Sequence, residues 1–186
     1  MRPDFRLVVE KAKAAAAEFA GVPDAAQFLV IVLQNSGNPK DAREALRVLL
    51  DQHLDGESFA RAAGLAPSLT SLVGKEAADP ALEKMAKSKN AKVRGWAAFA
   101  RHQGTIATAD RGSSGYATAR AELQKAAEDA GDEQLAAEVR TAIDLREKFG
   151  VGNTAPDIQG IDLLGVSLKL SDYKGKVVLL DFWGDW

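Results

Sequence analysis

Cysteine is absent from this chain of 186 residues. Disulfides, thiolate nucleophiles and zinc–thiolate centres are therefore excluded for the polypeptide as it stands. Histidine is nearly as scarce. His53 and His102 lie 49 residues apart with no companion at metal-ligand spacing. Each reads as a helix-surface or groove residue rather than a ligand. Neither a Gly-x-Ser-x-Gly elbow nor a Gly-Lys-Ser/Thr phosphate loop occurs, and Gly112-Ser-Ser-Gly115 has the spacing of a flexible loop. Gly150-Val-Gly152-Asn-Thr-Ala155 imitates a dinucleotide fingerprint. It follows a helical stretch and runs into Pro156, whereas that fingerprint must follow a strand and open a helix. No cofactor and no metal are expected.

Charge of one sign is lacking as well. Twenty-four basic and 26 acidic residues leave a net charge of −2, so no basic field invites nucleic acid or an anionic membrane surface. The longest strongly apolar run, Phe28 to Leu33, is six residues. A bilayer span needs about 20, so none is expected. Glu10, Lys11 and Lys13 interrupt the apolar N-terminal stretch, which does not read as a signal peptide. Localisation is open on these grounds.

What is present is ordinary for a globular protein: 46% hydrophobic and 27% charged residues. The length admits one large domain or two small ones. Residues 1–150 read as helix after helix. Phe5, Val8, Ala12, Ala15 and Phe19 form one apolar stripe closed by Gly21. The run from Phe28 to Leu33 is expected as a buried helix. Asn38-Pro39-Lys40-Asp41 is a helix start, with a cap, a proline at the first position and an acid for the dipole. Ala42, Ala45, Leu46, Leu49 and Leu50 then share a face. Asp79-Pro80 is expected to repeat that start. After Asn90 a helix should carry Val93, Trp96, Ala97 and Ala100. A helix from Tyr116 to Ala130, capped by Gly131, precedes a last one over 132–149 with Leu135, Val139, Ala142, Ile143 and Phe149 inward. The two Asn/Asp-Pro pairs lie 41 residues apart, and Lys92-Val-Arg-Gly-Trp-Ala97 resembles the second-helix wording of HEAT repeats. A helical bundle and an α-solenoid both stay open.

Composition changes at Gly150-Val-Gly152: alanine nearly vanishes while glycine, aspartate and β-branched residues rise. The spacing predicts a hairpin of Ile161–Leu163 with Ser167–Leu170, a turn at Ser171–Gly175, and a central strand from Lys176 to Trp183. The expected domains are 1–150, α-helical, and 151–186.

Two stretches carry a resemblance. They are Gly152-Asn-Thr-Ala-Pro-Asp-Ile-Gln-Gly160 and Leu168-Lys-Leu-Ser-Asp-Tyr-Lys-Gly-Lys-Val-Val-Leu-Leu-Asp-Phe-Trp-Gly-Asp-Trp186. Together they resemble the opening of the redoxin domain in bacterial thioredoxin-like thiol–disulfide oxidoreductases of the TlpA/ResA kind. The resemblance implies the first hairpin and strand of an incomplete α/β thioredoxin-like domain. In that family a Cys-x-x-Cys motif follows the position of Trp186 at a helix N-terminus, which lowers the thiol pKa. One thiolate attacks a substrate disulfide and the second cysteine resolves the mixed disulfide. The chain stops one residue earlier, and the expectation is a truncated, redox-inactive product whose parent acts on protein disulfides outside the cytoplasm.

The resemblance also implies site residues. Asp181 matches a buried acid beneath the disulfide, where burial favours the protonated form and suits proton transfer with the resolving thiol. Trp183 and Trp186 match aromatics flanking the active site. Trp-x-x-Trp fits a disulfide reductase better than a peroxiredoxin of the AhpC/TSA kind, though that neighbouring label stays open. A rival reading belongs to another class: the helical region is an interaction scaffold with a protein partner along a groove.

Overall fold

The structure, a computed structural model, describes residues 5–184. Among them are nine α-helices and one two-stranded antiparallel sheet. The chain divides into two compact units, Met1–Arg146 and Glu147–Trp186.

The helices are α1 (Phe5–Glu18), α2 (Ala26–Asn35), α3 (Pro39–Gln52), α4 (Glu57–Ala60), α5 (Leu69–Val73), α6 (Lys75–Met85), α7 (Ala91–Thr108), α8 (Ser114–Ala130) and α9 (Glu133–Lys148). Their starts follow from side-chain caps. Asn38 Oδ1 accepts from Lys40 N at 3.0 Å with Pro39 behind it, and α3 buries the whole stripe Ala42, Ala45, Leu46, Leu49 and Leu50. Asn90 caps α7 in the same way, accepting from Lys92 N at 3.0 Å. In both cases the serine two residues earlier accepts from the capping asparagine's own N–H: Ser36 at 3.1 Å and Ser88 at 3.0 Å. The recurring start device is thus Ser-x-Asn-x-Lys. Gly131 ends α8 in the left-handed conformation, φ +58°, as expected.

Asp79-Pro80 does not start a helix, which corrects the expectation. Gly74, at φ +83°, separates α5 from α6, and α6 is already running at Lys75. Pro80 sits inside it and removes one backbone bond. Ala78, Ala81, Leu82 and Met85, buried on one side of α6, hold the helix together across that gap.

Two inward faces also differ. In α1 the buried residues are Val9 and Ala12, while Phe5, Val8 and Phe19 are exposed. That helix packs chiefly on α2, so one narrow stripe suffices. In α9 Leu135, Val139 and Ile143 are buried as expected, but Phe149 lies past the helix end and is exposed. One continuous core runs through the helical unit from Val9 to Ile143, with Leu49, Leu69, Met85, Ile106, Leu123 and Leu135 fully buried. The α7–α8 pair is the most extensive packing in it. No helix among the described residues is long and apolar enough to cross a membrane.

The second unit holds the hairpin β1 (Gln159–Ile161) and β2 (Ser167–Lys169), with Gln159 opposite Lys169 and Ile161 opposite Ser167. The expected pairing placed the first strand two residues later. Asp162 decides the difference: its Oδ1 accepts from Leu164 N and Val166 N, both at 2.8 Å, which draws 162–166 into a loop with Gly165 at φ +81°. From Lys176 to Trp183 no strand forms, a second correction. An extended segment becomes a strand only through a ladder, and this one pairs with nothing among the described residues. Val177 and Leu179 are accordingly almost wholly exposed.

Candidate functional site

The sequence words of the second unit meet around one carboxylate. Asp157, just after Pro156, accepts from Ser171 N at 2.8 Å and from Ser171 Oγ at 3.0 Å. The Ser171 N–H, the largest influence, holds the Asp157 carboxyl below its ordinary range. Leu170 N donates to Ile158 O at 2.9 Å beside it. Asp172 then accepts from Lys169 N at 3.0 Å, closing the turn over Leu170–Tyr173. Lys176 Nζ sits 5.7 Å from the centre of the Tyr173 ring, within cation–π range. The Ala-Pro-Asp and Leu-Ser-Asp-Tyr words are therefore one hydrogen-bonded corner. Sequence reasoning quoted Asp157 and Ser171 without giving them this role. An aspartate and a serine 14 residues apart carry no periodic signal that would pair them.

The expected redox residues follow that corner. Asp181 is exposed, so the burial that the resemblance implies is not found here. Trp183 is exposed too, and Trp186 lies outside the described residues. Both described residues stand open to solvent, and the chain supplies no thiol beside them. What this segment presents is a lone carboxylate between apolar side chains open to solvent.

In the helical unit the two histidines part company. His102 Nε2 lies 2.7 Å from Glu122 Oε2, joining α7 to α8 across the surface. His53, read from the sequence as a surface or groove residue, caps the C-terminus of α3 and is buried. No group of three or more potential metal ligands occurs among the described residues. Between α6 and α7 a tight knot forms instead: Ser88 Oγ donates to Asp55 Oδ1 (2.8 Å) and Leu54 O (3.1 Å), and Lys89 N donates to the same carboxylate at 2.8 Å. The Ser88 hydroxyl and then the Lys89 N–H keep the Asp55 carboxyl below its usual range.

Comparison with known proteins bears on part of the chain. Over 36 residues it is 58% identical to the thiol-disulfide oxidoreductase ResA of Geobacillus kaustophilus (strain HTA426), covering 19% of this chain and 21% of that protein. A second ResA, from Geobacillus thermodenitrificans (strain NG80-2), is 56% identical over 36 residues, with the same shares. That of Bacillus thuringiensis subsp. konkukian (strain 97-27) is 48% identical over 40 residues, covering 22% and 23%. The chain thus spans about one fifth of the length of the curated relatives it matches. No protein-family model matches it, and no solved structure does. These short matches support kinship of the matched stretch with a thioredoxin-like redox family.

Proposed function

We propose that residues 151–186 are the opening of a TlpA/ResA-like redoxin domain joined to an α-helical domain of residues 1–150. In this reading the polypeptide itself is redox-inactive, because thiol–disulfide exchange requires a thiolate and the chain has no cysteine. The observation that carries the reading is the 58% identity over 36 residues to a named thiol–disulfide oxidoreductase. Asp181 would be the proton-handling acid, and Trp183 and Trp186 the aromatic flank, of a site completed by a cysteine pair. Protein disulfides are the substrate class, and a peroxiredoxin-like label is the neighbouring one.

Two assays test this. The purified chain should not accelerate insulin-disulfide reduction by a small thiol; turnover above the uncatalysed rate would refute redox inactivity. A chimera in which this chain's matched stretch replaces that of the Geobacillus kaustophilus protein should retain insulin reductase activity. A folded but inactive chimera would count against the redoxin reading.

The second reading, a helical-repeat interaction scaffold, draws on one observation: the continuous core belongs to a compact unit far larger than the matched stretch. Its test is cross-linking of the full chain in its native host, read by mass spectrometry. One recurrent protein partner on the helical unit would support a scaffold, and its absence would remove that reading.

A further inference from the structure

From Val177 to Trp183 the backbone neither donates nor accepts a hydrogen bond among the described residues. Val177, Leu179, Phe182 and Trp183 stand almost fully in solvent, and Val178 and Leu180 are about half exposed. β-branched and aromatic residues predominate in this run, the composition of a strand. A β-prone segment with open N–H and C=O groups is a template for a second strand.

The charges select that strand and its direction. Lys176 opens the run, and Asp181 lies five residues on. Neither has an ion partner among the described residues; the Lys176 ammonium meets only the Tyr173 ring. A second copy of the same segment supplies both complements. Laid antiparallel, it brings its aspartate to the end where the first copy carries its lysine, and the reverse at the other end. Laid parallel and in register, it would set lysine against lysine and aspartate against aspartate, which is destabilising.

The register follows from symmetry and from the turn. In a two-fold antiparallel pair one residue must face its own copy. Gly175, at φ +83°, turns the chain and stops a ladder short of it. A centre at Leu179 then pairs residues 176–182 end to end and sets Lys176 one step from the other copy's Asp181. A centre at Leu180 moves those charges apart and sets Asp181 against an apolar Leu179.

We propose that residues 176–182 pair with the same segment of a second copy of this chain, as an antiparallel ribbon centred on Leu179. The dilute monomer keeps the segment unpaired, and the ribbon supplies the ladder that the monomer lacks. A lone two-stranded ribbon is marginal in water, so the dimer is weak, reversible and sensitive to salt. Self-pairing needs neither the redoxin nor the scaffold reading, and its failure would leave both untouched.

Sedimentation equilibrium of the full chain over a range of concentrations should show a reversible monomer–dimer equilibrium. Lys176→Asp and Asp181→Lys each leave like charges at both ends of the ribbon. Each should weaken the dimer by about three- to tenfold, the worth of two exposed charge pairs. Mixing those two variants, or combining both changes in one chain, should restore it. Cross-linking reads the register, since the chain has no cysteine of its own. Leu179→Cys should oxidise to a disulfide-linked dimer, because facing residues stand about 4.5–5.5 Å apart, within disulfide reach. Phe182→Cys should not, its two copies lying about 20 Å apart along the ribbon. No dimer in the wild-type chain, equal weakening by the single and the combined changes, or equal cross-linking at both positions would overturn the proposal. The last result would mean parallel stacking or unspecific clustering of exposed apolar side chains.

Discussion

Gly95 of α7 lies so close to Leu135 of α9 that a Cβ on the glycine would stand 2.6 Å from Leu135 Cδ2. The same added atom would meet Ala130 Cβ at 3.1 Å and Ala126 O at 3.2 Å. Leu135 is fully buried and the third neighbour is backbone, so the surroundings have little room to give. The missing side chain at position 95 is what lets α7 seat against α8 and α9.

Gly95→Ala should therefore destabilise the protein although alanine is the better helix former. Helix propensity favours the change by about 1 kcal/mol, and overpacking opposes it by about 1–3 kcal/mol. Gly104 in the same helix is the control, exposed and with nothing within 4 Å of an added Cβ. Gly104→Ala should stabilise by roughly 0.5–1 kcal/mol. Urea denaturation followed by circular dichroism reads both, and equal signs would contradict the packing argument.

Ser88→Ala should cost more than a surface serine substitution. It removes the hydroxyl that donates to Asp55 and accepts from Asn90 N, at a position only 2% exposed. The expected loss is about 1–3 kcal/mol in the same denaturation measurement. Ser36→Ala, at the matching but less buried position before Asn38, should cost less. Asn38→Ala and Asn90→Ala should each cost about 1 kcal/mol as lost helix caps.

Stability should fall in acid through Asp55 and Asp157. Both carboxyls are held below their ordinary value of 3.8, Asp55 chiefly by Ser88 and Asp157 chiefly by the Ser171 N–H. A depressed folded pKa means the unfolded chain binds the proton first as pH drops. The stabilisation is therefore complete above the unfolded value and is lost as pH falls through the folded one. Protection of the Ser171 amide in hydrogen exchange should decline below about pH 4, and Asp157→Asn should flatten that decline. An unchanged pH profile in the variant would show that Asp157 is not the group responsible.

Amides from Val177 to Leu180 should exchange at nearly unprotected rates, since this segment has no ladder. Those of Ile106 and Leu123, fully buried on α7 and α8, should exchange slowest. Strong protection at Val177–Leu180 in a monomer would contradict the structure there.

Much of the helical unit is legible in the sequence because its signals are local. Asn38-Pro39 announces α3, the five apolar residues of that helix share a face at 3.6-residue spacing, and Gly131 marks an end. The errors fall where a local signal has two uses. Asp79-Pro80 has the form of a start, yet Gly74 had already begun the helix, and α6 tolerates the proline because its other side is buried. In α1 the buried stripe is narrower than the apolar periodicity suggests: Ala12 is buried, with Val9 rather than Val8 beside it, while Phe5 and Phe19 are exposed. The candidate site divides likewise. The redoxin wording is visible as a string, but the bond from Ser171 to Asp157 joins residues that no period relates.

The sequence by itself determined the helical character of residues 1–150, the caps at Asn38 and Gly131, the absence of any thiol and the likeness to a thiol–disulfide oxidoreductase. Each depends on residue identity and on neighbours within a turn or two. Tertiary structure alone decided that Gly95 is a contact point, that His53 at the end of α3 is buried, and that Lys176–Trp183 forms no strand. Those facts depend on what other elements bring within a few ångströms. A β-prone run becomes a strand only when a partner supplies the other half of each hydrogen bond.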